Sequence, residues 1–174
     1  LRRRLARRSA PQTRRPGGPQ RGEAGSGPQP LSFAQERFWF LEQLEPGSTN
    51  DSMTGVGRLI GPLDRSALQR ALDDLVARHD GLRMVFPAAD GVPHQRLSPG
   101  KTCALEQIAL EHVPVAARDQ ALREHTTQLH RRGFDLGVGP LFRAVLMRFG
   151  SEDHGLALSM HHIVSDGWSL SVLL

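Results

Sequence analysis

Two runs dominated by apolar residues, Leu141 to Phe149 and Gly155 to Ile163, flank the short stretch Gly150-Ser151-Glu152-Asp153-His154. Each run has the length of a strand rather than a helix and holds no proline, so both read as buried strands. A connection this short joins antiparallel neighbours, because a parallel return needs a crossover of a dozen residues or more. Any fold for this chain must therefore place these two strands side by side in its interior.

The second strand carries the chemistry. It runs into His161-His162-Ile163-Val164-Ser165-Asp166-Gly167, a His-His-x-x-x-Asp-Gly pattern. Side chains alternate along a strand, so His161 and His162 are expected on opposite faces. That argues against a metal site, since strand neighbours seldom reach one ion together. A regular strand puts His162 on the face of Met160 and Leu158 and His161 on the face of Ser159; alternation alone leaves open which face lines a cavity. Ser165-Asp166-Gly167 reads as a turn into a helix starting near Trp168, capped by Ser165 or Asp166, with Gly167 free to adopt backbone shapes barred to other residues. An aspartate here can orient a histidine, fix the turn or hold a distant arginine. Histidine is largely neutral at pH 7 and can accept a proton. Paired strand histidines are also often core residues, and Asp-Gly is a common turn, so the motif alone reads equally as structure.

Upstream, Ser32 and Gln35 form a capping box opening an apolar helix to about Gln43, with Pro46-Gly47 breaking it. Met53 to Ile60 reads as a strand ended by Gly61-Pro62. Asp64 suits the N-cap of a helix through His79, with Ala67, Leu68, Ala71, Leu72, Leu75 and Val76 as its apolar stripe and Gly81 as its stop. Arg78, His79 and Arg83 read as structural residues. A strand is expected from Arg83 to Phe86, a hairpin turn at Asp90-Gly91, a return from Val92 to Leu97 and a further strand near Cys103 to Ile108. Pro114 is expected to open a helix through about Arg132, ended by Gly133. Strands mixed with helices, without a strict strand–helix–strand order, indicate an α+β lobe.

The net charge of +4 is unevenly placed. Residues 1–30 hold eight arginines and one acid, Glu23, for +7, leaving the remainder at −3. This Arg-, Pro- and Gly-rich tail has no apolar periodicity, so residues 1–29 are expected to be a disordered linker or docking arm. No aromatic interleaves the arginines, which speaks against nucleic-acid stacking. Cys103 is the only cysteine and belongs to no metal-like spacing; it reads as a buried strand thiol. No apolar run is long enough to cross a membrane. No nucleic-acid or membrane partner is expected, and the cytoplasm is the simplest compartment.

Three further stretches narrow the reading. Pro30 to Leu41 resembles the first core motif of nonribosomal peptide synthetase condensation domains, Arg78 to Phe86 resembles the second, and Met160 to Leu173 the third, the active-site motif. Their order and rough spacing match. Phe134-Asp135-Leu136 followed by Gly139-Pro140-Leu141-Phe142-Arg143 is similar to another stretch common in that family. Met84 stands where the family usually has Thr. The segment Thr49 to Thr54 departs from the expected Tyr-Asn-containing pattern. Ser32 to Gln35 and Gln43 to Ser48 look more like the subset that accepts D-configured donors.

The resemblance implies a chloramphenicol-acetyltransferase-like α+β fold in two lobes, with a mixed or antiparallel sheet packed by helices. Residues 30–174 are then expected to be the N-terminal lobe, truncated after the active-site motif. It implies amide formation between a carrier-bound acyl or peptidyl thioester and an aminoacyl thioester. No cofactor is expected to bind directly, since the substrates ride on phosphopantetheine arms. The implied partners are the upstream and downstream peptidyl carrier domains and the adenylation domain of the same synthetase. His162 matches the histidine credited with deprotonating or positioning the amine, work suited to a neutral imidazole acting as general base. His161 and Asp166 match positions regarded as mainly structural, the aspartate pairing in the family with an arginine of the other lobe. Gly167 matches a backbone position assigned to the oxyanion. Two other readings are an epimerisation domain, which shares the pattern, and a catalytically silent fragment that docks a carrier protein.

Overall fold

A computed structural model of the chain describes residues 27–98, 100 and 102–169. Most of the tail expected to be a linker, residues 1–26, lies outside the described residues, as do residues 170–174 at the end of the third motif.

Local sequence sets the helix boundaries. The first helix, α1, spans Phe33–Leu44 and opens with the expected capping box: Gln35 N–H donates to Ser32 Oγ at 3.3 Å, and Ser32 N–H to Gln35 Oε1 at 2.8 Å. Such a cap stabilises a helix by about 1 kcal/mol. The second, α2, spans Arg65–Arg78, and Asp64 Oδ1 accepts from the N–H groups of Ser66 and Ala67. It ends earlier than Gly81: His79 closes it, and Asp80–Arg83 continue as a 3₁₀ turn. The third, α3, covers Arg118–His130, starting four residues after Pro114, because a 3₁₀ turn at Val115–Ala117 comes first.

The strands are β1 Ser52–Ile60, β2 Met84–Val85, β3 Ala88–Ala89, β4 Val92–Pro93, β5 Arg96–Leu97, β6 Leu105–Ala109, β7 Phe142–Arg148 and β8 Asp153–His161. The main sheet has the order β1-β8-β7-β6. The pairs β1–β8 and β8–β7 are antiparallel, as the short β7–β8 connection requires, whereas β6 runs parallel to β7. One strand–helix–strand unit, β6–α3–β7, is thus built into a lobe whose sequence showed no such order. The expected hairpin turn sits between β3 and β4, with Asp90 at φ 51° and Gly91 at φ 76°, the left-handed pair that a two-residue hairpin needs.

Each face of the sheet carries one helix. Leu72 and Val76 of α2 pack on Phe142, Ala144, Leu146, Leu158 and Met160. On the alternate residues, Leu129 of α3 packs on Val145, Met147 and Ala157. Cys103 is buried just before β6 rather than within it, and burial pushes its thiol up to about 12, which leaves it protonated and unreactive. Asp153 at the start of β8 ties Arg58 of β1 to Arg118 of α3, and those two guanidiniums hold its carboxyl down at about 2. No helix among the described residues is long and apolar enough to cross a membrane.

Candidate active site

A single apolar cluster gathers four separate stretches of sequence around the end of β8. Leu31, Phe38 and Trp39 come from the start of the chain, and Met84 and Phe86 from the segment after α2. Phe134, Leu136 and Leu141 precede β7, and Ile163 and Val164 follow β8. The stretches that sequence comparison treats as independent motifs are therefore parts of one packing unit. The second and third motifs also face each other across a groove of about 390 Å³, with Asp80, Gly81 and Leu82 on one wall and Val164, Ser165 and Trp168 on the other.

β8 ends at His161, and the chain turns through His162, Ile163 and Val164. This turn separates the two histidines. His161 is still a strand residue and is 1% exposed, opposite Ser52 of β1. Its Nδ1 accepts the N–H of Ile163 at 3.0 Å, so the neutral ring carries its proton on Nε2. Phe38 and Phe134 each stand edge-on to it, with centroids 6.2 Å and 6.1 Å away. Burial pushes its pKa down to about 4, against the opposing charge of Asp51, and the ring is neutral at pH 7.

His162 does not follow the alternation onto the face of Met160 and Leu158, because the strand has already ended. It is half-buried, and its imidazole lies flat on Phe38 of α1 at 5.6 Å between centroids. Its backbone N–H donates to the carbonyl of Asp51 at 2.8 Å. Its Nδ1 is 3.2 Å from the carbonyl oxygen of Ser165. A carbonyl can only accept, so Nδ1 is the protonated nitrogen and the Nε2 lone pair remains available as a base. The two neighbouring histidines thus hold opposite tautomers. Among the described residues no cluster of three or more His, Cys, Asp and Glu side chains could hold a metal ion.

Asp166 is exposed, and among the described residues its carboxylate fixes the turn. Its Oδ1 accepts from Ser169 N–H at 2.8 Å and from Ser169 Oγ at 2.7 Å, capping the helical turn that starts at Gly167. These bonds hold its carboxyl below the usual range. Ser165 closes the preceding turn by donating from Oγ to the carbonyl of His161 at 2.9 Å. His162, Asp166 and Gly167 therefore lie on consecutive tight turns, with His161 as the buried anchor.

Phe38, one of the apolar residues of α1, is the surface against which His162 rests. Arg143 was noted only as part of a motif. Its guanidinium lies 4.0 Å from the centroid of Phe134 and donates to the carbonyls of Arg132 and Gly133 at 2.6 Å and 2.8 Å. It holds the ring that in turn flanks His161. Both residues fall within the recognised stretches, but only the packing reveals their bearing on the histidines.

A family model described as Condensation domain matches residues 26–174. The chain is 42% identical over 147 residues to phosphinothricin tripeptide synthetase PhsC of Streptomyces viridochromogenes, covering 84% of this chain and 14% of that protein. It is 41% identical over 144 residues to a dimodular nonribosomal peptide synthase of Bacillus subtilis, covering 83% of this chain and 6% of the other. Among solved structures, the starter condensation domain of rhizomide synthetase RzmA superposes with a TM-score of 0.76 at 23% identity, over 85% of this chain and 37% of that one; at this identity the match speaks to the fold. The SgcC5 protein from Streptomyces globisporus superposes with a TM-score of 0.72 at 31% identity, over 83% and 34% of the two chains. The chain thus spans about a third of the length of these structures and a much smaller share of the synthetases.

Proposed function

The chain belongs to the condensation-domain family of nonribosomal peptide synthetases, and from that membership we propose that it contributes the histidine-bearing lobe of an enzyme that forms amide bonds. In this reading residues 30–174 are the first of two lobes of a chloramphenicol-acetyltransferase-like domain, and residues 1–29 are the segment leading into it. The donor is an acyl or peptidyl thioester and the acceptor an aminoacyl thioester. Each is carried on the phosphopantetheine arm of a peptidyl carrier domain, one upstream and one downstream, with an adenylation domain supplying the aminoacyl group.

The observation that carries the proposal is the tautomer of His162. With Nδ1–H held by the Ser165 carbonyl and the ring stacked on Phe38, Nε2 is a fixed acceptor. The acceptor amine attacks the thioester carbonyl, the C–N bond forms, and the ammonium proton passes to Nε2. The backbone at Gly167, the position the family resemblance assigns to the oxyanion, supports the tetrahedral intermediate in this reading. Collapse breaks the C–S bond, and the departing thiolate takes up the proton, so the step needs no other reactant. His161 serves by position: its clamp on Ile163 N–H sets the direction in which His162 leaves the strand.

The test is amide formation followed by mass spectrometry in the complete parent domain, with donor and acceptor loaded on carriers, beside its His162→Ala form. Dipeptidyl product lost in a folded variant supports the proposal. Product formed at near wild-type rate removes His162 from the role. Loss of α-deuterium from a loaded aminoacyl thioester without amide formation redirects the assignment to epimerisation. The isolated chain is expected to show no turnover, because in this family the reaction tunnel lies between two lobes.

A further inference from the structure

At the opposite end of β8 from the histidine turn, about 25 Å away at the usual rise of a strand, the sheet carries a second polar constellation. Gln107 of β6, Arg148 of β7 and His154 of β8 lie on adjoining strands and share the face covered by α2. Together with Leu63 and Arg65 at the start of α2 and Ser151 of the β7–β8 connection, they line a cleft of about 240 Å³. No carboxylate lines it. Two carboxylates beside lining residues are committed elsewhere: Asp64 caps α2, and Glu111 pairs with Arg148. Asp64 already occupies the N–H groups of Ser66 and Ala67 at this helix end.

The second observation is His154. It is 4% exposed, and its Nδ1 is a buried ring nitrogen with no hydrogen-bond partner. Buried polar atoms are almost always satisfied, and each exception asks for an explanation. His154 Nδ1 is enclosed beneath the cleft rather than open to it, whereas the Gln107 amide, the Ser151 hydroxyl and both guanidiniums are donors. Two arginines and two neutral donors, without a lining acid, match a compact oxyanion.

We propose that this cleft is an anion site that binds a phosphate or phosphate-monoester group, separate from the histidine turn and independent of the amide-forming function. Arg65 supplies the charge, because among the described residues no carboxylate pairs with it, while Arg148 shares its charge with Glu111. Gln107 adds a neutral donor, and the buried His154 ring beside the cleft reports on its occupancy. The volume admits the anion and a few atoms beyond it but no nucleotide.

The test is a titration of the whole chain with inorganic phosphate and, separately, with O-phosphoserine, following the His154 imidazole nitrogens by NMR. Sodium chloride at equal ionic strength is the control. The expected result is a saturable shift of the His154 resonances that Arg65→Ala weakens about tenfold. Arg65 is exposed, so that variant keeps the fold. Tighter binding of inorganic phosphate identifies a free ion as the source, and tighter binding of O-phosphoserine identifies a group borne on another molecule; either supports the site. A response that chloride reproduces, a response unchanged in Arg65→Ala, or none at all overturns it.

Discussion

His162 and Phe38 lie ring on ring, 7° from parallel, across the gap between the turn after β8 and the helix α1. The contact joins the two ends of the described chain at an imidazole whose Nε2 is poised to accept a proton. It also separates two functions of Phe38, filling the apolar cluster and holding the imidazole flat.

Those functions can be split experimentally. Phe38→Leu retains an apolar side chain in the cluster but removes the stacked face. Amide formation in the complete domain is expected to fall by about tenfold, which is about 1.4 kcal/mol of orientation, with little change in unfolding midpoint. Equal loss of stability and activity would show that the residue acts only through packing.

The buried His161 makes stability depend on pH. Its folded pKa is about 4, below the ordinary value of 6.5, so in the window between them the unfolded chain binds a proton that the folded chain refuses. The contribution of a neutral His161 is complete above 6.5 and declines as pH falls toward 4, by on the order of 3 kcal/mol in all. Denaturant unfolding at a series of pH values is expected to show the stability difference between the protein and His161→Gln narrowing across that window. Parallel curves would exclude the effect.

Gly133 lies where two backbone segments meet. A Cβ there would stand 2.7 Å from the carbonyl oxygen and 3.0 Å from the Cα of Gly47, in the turn between α1 and β1. Backbone cannot rotate away as a side chain can. Gly133→Ala is expected to cost about 2 kcal/mol in equilibrium unfolding. Gly150→Ala, whose added carbon would meet nothing within 4 Å, is the matched control and is expected to cost much less. A comparable loss in both variants would contradict the close-approach explanation.

Much of this architecture was legible from local chemistry. Ser32 and Asp64 announce the two helices they cap, the β7 and β8 runs announce an antiparallel pair, and Asp90-Gly91 announces its hairpin. Gly133 was read as a helix stop; its closer constraint is the backbone of Gly47, which sequence spacing cannot reveal. The parallel pairing of β6 with β7 was hidden for a similar reason. It depends on where α3 lands, and α3 is placed by burial of Leu129 against residues far along the chain. The face of His162 was misjudged because strand alternation was carried one residue too far. The turn is held by Ile163 N–H on His161 Nδ1 and Ser165 Oγ on the His161 carbonyl, interactions without a periodic signature. His154 gave no signal at all, since an isolated histidine beside a turn looks like any surface residue.

The pairing of Ser52 with His161 bears on how the protein is made. Among the described residues β1 has one neighbour in the sheet, β8, which follows every other strand of this sheet in the chain. Helices α1 and α2 and the small hairpin can form while synthesis continues, because their contacts are local. β1 must wait, unpaired, until the roughly ninety residues between it and β8 have been synthesised. When β8 arrives, one docking event completes the sheet, buries His161, fastens His162 to the Asp51 carbonyl and brings its ring to Phe38. A partly synthesised chain therefore carries no partly formed site, and the histidine turn exists only once the sheet has closed.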